Sequence, residues 1–277
     1  MQRASATGSR THERDRGAAR CARCSLAGAA LAAVSSLAHS ADISWRDIES
    51  RIQYDYYTED AAALRNLAET VAAVESHDKL RGYYAGLLAW RQALLAAHGV
   101  SSARGGAAGA PTLSATQFAE RCVSEVDTAL AIQADFAEAL ALRSVCLANP
   151  SATGGGFAPV ASYRARRDLE KARELAARNP RVMLVDAMCD YELAPSRGGN
   201  KERALKKLRQ TVAAFEAERS GTEPLPGWGA AEAWLLLAED LLDHGDALGA
   251  RDALEHALLI APEFAEARRL MAKMISG

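Results

Sequence analysis

From residue 41 to the C-terminus, apolar residues return every three or four positions, the spacing that gathers them on one face of an α-helix. The stretch 231–264, AEAWLLLAEDLLDHGDALGARDALEHALLIAPEF, states the pattern most fully. Its first half carries Trp234, Leu235, Leu236, Leu237, Ala238, Leu241 and Leu242 and stops at His244-Gly245-Asp246. Gly245 suits the left-handed cap that ends a helix, and Asp246 suits the N-cap of the next. The second half carries Ala250, Leu254 and Ala257 in one narrow stripe and is closed by Pro262. Read the same way, the chain predicts further helices over 42–57, 59–75, 78–98, 114–132, 136–147, 160–178, 181–193, 201–218 and 265–275. Gly99, Asn149-Pro150, Asn179-Pro180 and Pro195 are the stops between them. No run of Val, Ile or Thr alternates with polar residues, so no strand is expected, and the fold class is all-α.

Two internal echoes add a repeat to this picture. ALAIQADFAEA at 129–139 aligns with ALLIAPEFAEA at 257–267, and ALRNLAETVAAVE at 63–75 aligns with ALKKLRQTVAAFE at 204–216. Within 231–264, Trp234, Leu237, Leu241, Ala250, Leu254, Ala257 and Pro262 stand in the register W-x2-L-G-x2-Y, A-x3-F, P. Ala238 replaces the pattern's Gly and Leu241 its Tyr. The stretch therefore resembles a tetratricopeptide repeat, and the resemblance extends over residues 42–277, weakest over 42–113. It implies a right-handed α-α solenoid of about five helix-turn-helix pairs with a C-terminal capping helix, 265–275. Gly-rich insertions at 99–113, 149–159 and 194–200 interrupt the tight junctions. The last of them, within APSRGGNKERA, is similar to an insert of exported bacterial members of the family.

Composition then separates the first 40 residues from the rest. Six arginines precede an apolar, Ala-rich run from Ser25 to Ala38, and Ala38-His39-Ser40 has the small-residue pattern of a cleavage site. That order is a secretory signal peptide with a long basic start, cut near Ser40 or Ala41, so the chain is expected to be exported, to the periplasm. The apolar run is too short for a stable membrane span. Residues 1–40 hold 6 of the 33 Lys+Arg and 2 of the 35 Asp+Glu, which leaves 27 against 33 in residues 41–277. No basic patch with interleaved aromatics remains, which argues against nucleic acid as partner.

Cys122, Cys146 and Cys189 are the cysteines beyond residue 40, each on an apolar face. They read as small buried thiols. Should one pair be oxidised, Cys146 and Cys189 are the preferred pair, because the repeat register puts them at equivalent positions of successive first helices.

No chemistry-bearing motif emerges. Gly154-Gly155-Gly156 and Gly198-Gly199-Asn200 follow no strand and lack the phosphate-loop spacing. His77, His98, His244 and His256 are dispersed without zinc-ligand spacing, and no G-x-S-x-G is present. Neither enzyme activity, a cofactor nor a metal is expected. What the resemblance implies instead is a concave groove lined by the first helices of the pairs. In this chain those positions are Glu138, Ala141 and Val145, then Arg181, Leu184, Met188 and Tyr191, then Glu232, Leu235, Glu239, Leu242 and Asp243. Their apolar and acidic mixture suits a peptide or protein partner of basic character. The expected function is a non-enzymatic protein–protein interaction scaffold of the cell envelope. Two alternatives stay open: a carrier of a small apolar ligand, motivated by Tyr83, Tyr84 and Trp90, and an accessory subunit of an envelope transport system.

Overall fold

The structure, a computed structural model, describes residues 44–100, 113–148, 158–218 and 226–276. The expected signal peptide, most of the insertions 99–113 and 149–159, and the junction 219–225 lie outside the described residues. The described residues belong to one compact unit, 42–277, and form eleven α-helices and no strand. These are α1 (Trp45–Tyr57), α2 (Ala61–Ala72), α3 (Lys79–Ala97), α4 (Ala115–Ile132), α5 (Ala137–Ala148), α6 (Ala158–Leu175), α7 (Pro180–Glu192), α8 (Lys201–Glu218), α9 (Ala230–Asp243), α10 (Ala247–Ile260) and α11 (Ala265–Ser276).

Local chemistry explains where the helices begin. Asp60, Asp78, Asn179 and Asp246 each accept a main-chain N–H of the first turn behind them, and Pro180 opens α7 without losing a hydrogen bond. Ser114 and Gln117 satisfy each other's orphan donors in a capping box at the start of α4. Gly245 adopts φ +78°, the left-handed turn needed between α9 and α10. Within the 194–200 insertion, Gly198 has φ +100° after the short 3-10 turn Pro195–Arg197.

Consecutive helices pack against each other, and α1, α3, α5, α7 and α9 also touch in that order, so these five form an inner layer with α2, α4, α6, α8 and α10 behind it. One apolar core runs between the layers, from Ile48 and Leu64 through Leu142 and Leu208 to Leu254 and Ala267. The tightest approach is between α3 and α4. A Cβ on Gly82 would stand 2.2 Å from Thr128 Oγ1 and 2.8 Å from the main chain of Ala129 and Glu125, so this contact depends on the missing side chain.

The cysteines correct two expectations: Cys122 and Cys146 are not free thiols, and the preferred pair Cys146–Cys189 does not form. Cys122 on α4 and Cys146 on α5 form a disulfide with Cα atoms 6.2 Å apart, while Cys189 keeps its thiol. Both bridged residues are fully buried where α4 meets the next helix in sequence, an approach that the equivalence of Cys146 and Cys189 did not reveal.

The ends of the unit also meet. Tyr57 at the end of α1 packs against Phe264, just before α11, with ring centroids 4.5 Å apart, and Arg269 on α11 donates to Glu59 at 2.5 Å.

A candidate binding cleft on the inner helix layer

The inner face of the layer is partly sealed by the chain itself. The segment 226–229 before α9 lies across it. Gly227 N–H donates to both oxygens of Glu49 at 2.8 and 2.9 Å, and Tyr84 O–H donates to the same carboxylate at 2.7 Å. Burial pushes the Glu49 carboxyl up, and these two donors oppose the shift. Trp228 is 1% exposed; its indole N–H donates to Tyr83 Oη at 2.6 Å and its carbonyl accepts from Arg181 Nε at 3.1 Å. An aromatic anchor with satisfied polar groups thus packs against Tyr83, Trp90 and Arg181 of the inner helices.

Beside that plug sits Arg91 of α3, a charged residue in the stretch 83–95 of that helix, which is apolar but for Arg91 and Gln92 and is largely buried. Its Nη2 donates to Glu232, whose second oxygen accepts from Tyr57 Oη at 2.7 Å. The guanidinium lies 4.2 Å over the Tyr56 ring, 4.6 Å over Trp90 and 5.2 Å over Trp228, so three aromatic faces share its charge. Arg91 is 1% exposed, and its Nε–H has no acceptor among the described residues.

What the plug leaves open is a cleft of about 240 Å³. Tyr56, Trp90, Arg91, Leu94 and His98 form one wall, Leu184, Met188 and Glu192 of α7 a second, Glu232, Leu235, Leu236 and Glu239 of α9 a third, and Phe264 and Glu266 close it. One guanidinium faces four carboxylates there. Glu239 registers the imbalance: burial, then the nearby charges of Glu266, Glu192 and Asp243, push its carboxyl up to about 7, against the pull of Lys201.

The twelve expected groove residues divide accordingly. Leu184, Met188, Glu232, Leu235 and Glu239 are brought together in the cleft, although Leu184 and Leu235 are 1% and 6% exposed and belong to the core as well. Arg181 is 2% exposed, bound to Glu218 at 2.6 Å and to Trp228, so it faces the plug and not a groove. Glu138 accepts from Asn179 Nδ2 at 2.7 Å, Ala141 is core, and half-buried Val145 packs against the core; none of the three lines the cleft. Tyr191 O–H donates to Asp243 at 3.0 Å, Lys201 pairs with Asp243 and lies over the Tyr191 ring, and half-buried Leu242 packs against the core. Of the three aromatics behind the carrier alternative, Tyr83 and Tyr84 are fully buried, and Trp90 alone reaches the cleft.

Sequence reasoning missed Tyr56, Arg91, Leu94, His98, Glu192, Leu236, Phe264 and Glu266 as cleft residues. A signal existed for Arg91: within α3, the stretch 83–95 is apolar except for Arg91 and Gln92. Glu192 lies one turn beyond Met188 on the same helix, so the repeat register came within a turn of it; for Tyr56, Phe264 and Glu266 no signal existed, since they come from the two ends of the helical unit. Among the described residues no group of three or more His, Cys, Asp or Glu could hold a metal ion, and no helix is long and apolar enough to cross a membrane.

No protein-family model matches the chain, and no curated protein does. Among solved structures it is similar to the HusA haemophore from Porphyromonas gingivalis, at 19% sequence identity over 74% of this chain and 96% of that one, with a TM-score of 0.54. At that identity the likeness is one of fold.

Proposed function

We propose that this chain is a non-enzymatic binding module, a tetratricopeptide-like right-handed solenoid of about five helix pairs with α11 as its cap, which takes a protein or peptide partner in the inner cleft. The observation that carries the reading is the asymmetry of the inner layer. The chain fills part of it with Trp228 and leaves beside it an aromatic-walled cleft whose carboxylates outnumber its cations. The ordered contacts of α1, α3, α5, α7 and α9 favour the solenoid, and the Cys122–Cys146 bridge fits the oxidising compartment that export to the periplasm would reach.

The test is proximity crosslinking of the full chain in its host, wild type against Met188→Arg and Leu259→Arg. Met188 is half-buried and lines the cleft, whereas Leu259 is 74% exposed and does not line it. Leu184→Glu would put a charge into the core and report on folding instead. The expected result is a partner lost with Met188→Arg and kept with Leu259→Arg. A partner set indifferent to Met188→Arg sinks the reading.

A second reading, the small-ligand carrier, draws on the similarity to a haemophore, whose name marks it as a haem carrier. Tyr56, His98 and Met188 in the cleft are of the types that ligate haem iron. Against it, about 240 Å³ is below the usual range of small-molecule pockets, and the four carboxylates repel haem propionates. Titration of the protein with hemin, followed in the Soret band, separates the two: saturable binding lost in His98→Ala favours the carrier.

A further inference from the structure

Resting on the cleft being the partner site, we infer that the group it receives is one basic residue of an extended peptide, its cationic head among Glu192, Glu239 and Glu266 and a main-chain carbonyl on Arg91. Two independent features of the cleft ask for the two halves of that ligand. The first is the excess of carboxylate. Glu239 on α9 faces Glu192 from α7 and Glu266 from α11, with Glu232 and Asp243 on its own helix. The positive groups near it are already engaged, Arg91 with Glu232 and Lys201 with Asp243, and His98 is the remaining basic side chain of the lining. An alkylammonium or guanidinium would relieve the repulsion. It would also meet Trp90 and Phe264, whose rings are apolar for a side-chain stem and attractive to a cation.

The second feature is a donor. Arg91 is buried in the wall of the cleft, its Nη2 is committed to Glu232, and its Nε–H has no acceptor among the described residues. A buried donor left unpaired is costly, and an acceptor brought by a ligand removes that cost. A simple amine supplies the cation and no acceptor; an acidic or neutral peptide supplies the acceptor and no cation. A basic residue within a peptide supplies both.

Proton linkage follows. The cation needs Glu239 ionised, and the free carboxyl titrates about 7, so raising the pH from 6 to 8 takes it from mostly protonated to mostly ionised. Affinity is therefore expected to rise about tenfold over that interval.

The experiment uses the full chain and three probes followed by Trp fluorescence and calorimetry: a blocked pentapeptide with a central lysine, its norleucine counterpart, and n-butylamine. The lysine peptide is expected to bind at least tenfold more tightly than either of the others, and about tenfold more tightly at pH 8 than at pH 6. In Glu239→Gln, which removes a repelling charge and should fold, the pH dependence vanishes and binding at pH 8 weakens about tenfold. Equal binding of the norleucine peptide, or a pH profile unchanged in Glu239→Gln, overturns the inference. If the lysine peptide fails while Met188→Arg still loses a crosslinked partner, the cleft remains the partner site and only the choice of a basic residue is wrong.

Discussion

Reduction of the Cys122–Cys146 bridge is expected to remove a large share of the stability of the helical unit. The two cysteines are 24 residues apart and close a loop that includes the end of α4 and most of α5. In the chain-entropy account, cross-linking a loop of about 25 residues restricts the unfolded chain by about 12 cal/mol/K, or about 3.5 kcal/mol at 25 °C. For a unit of this size that corresponds to a fall in Tm of about 7–14 °C. Both sulfurs are wholly buried, so replacing them with Ala adds roughly 1 kcal/mol of lost packing at each site. The assay is urea unfolding of the full chain followed by circular dichroism, with and without reductant, for wild type, Cys122→Ala, Cys146→Ala and the double variant. Because either single substitution already opens the loop, each should cost nearly as much as the pair. Reductant should shift the wild type and leave the variants where they are. Two results refute the reasoning: single-variant costs below about 1 kcal/mol that simply add, or peptide mapping that links Cys146 to Cys189.

Gly82→Ala should destabilise the protein by about 1–3 kcal/mol in a thermal melt, although alanine is the better helix former, because the new Cβ meets Thr128 Oγ1 and the main chain of α4. A neutral or stabilised Gly82→Ala would mean that α3 and α4 are not this close. Arg181→Ala should cost about 2–4 kcal/mol, since it strips the partner from the buried Trp228 carbonyl and from half-buried Glu218 and leaves a gap where the guanidinium packed on Phe215. Arg251→Ala, which breaks an exposed pair with Glu255 on α10, should cost no more than about 0.5 kcal/mol by the same measurement. Similar costs for the two arginines would remove the distinction between a structural and a surface ion pair.

Much of this molecule is legible residue by residue. The eleven helices, the Gly245 turn, the Asp246 and Ser114 caps and the Pro180 start all follow from interactions within about four positions along the chain, which is the range over which periodicity and capping act. Leu184, Met188, Glu232, Leu235 and Glu239 were reachable for the same reason, each falling on the inward face of its own helix. The tertiary structure decided what those faces meet. Arg91 and Glu232 are 141 residues apart in sequence, Tyr57 and Glu232 175, and Glu49 and Gly227 178. No local rule says that Trp228 turns inward, that Tyr57 meets Phe264 and Arg269 meets Glu59, or that Cys122 finds Cys146. Those outcomes depend on how successive helix pairs are rotated against one another. That rotation is set by the shapes of many side chains at once, among them the bare surfaces of Gly82 and Gly86, and not by the hydrophobic pattern alone.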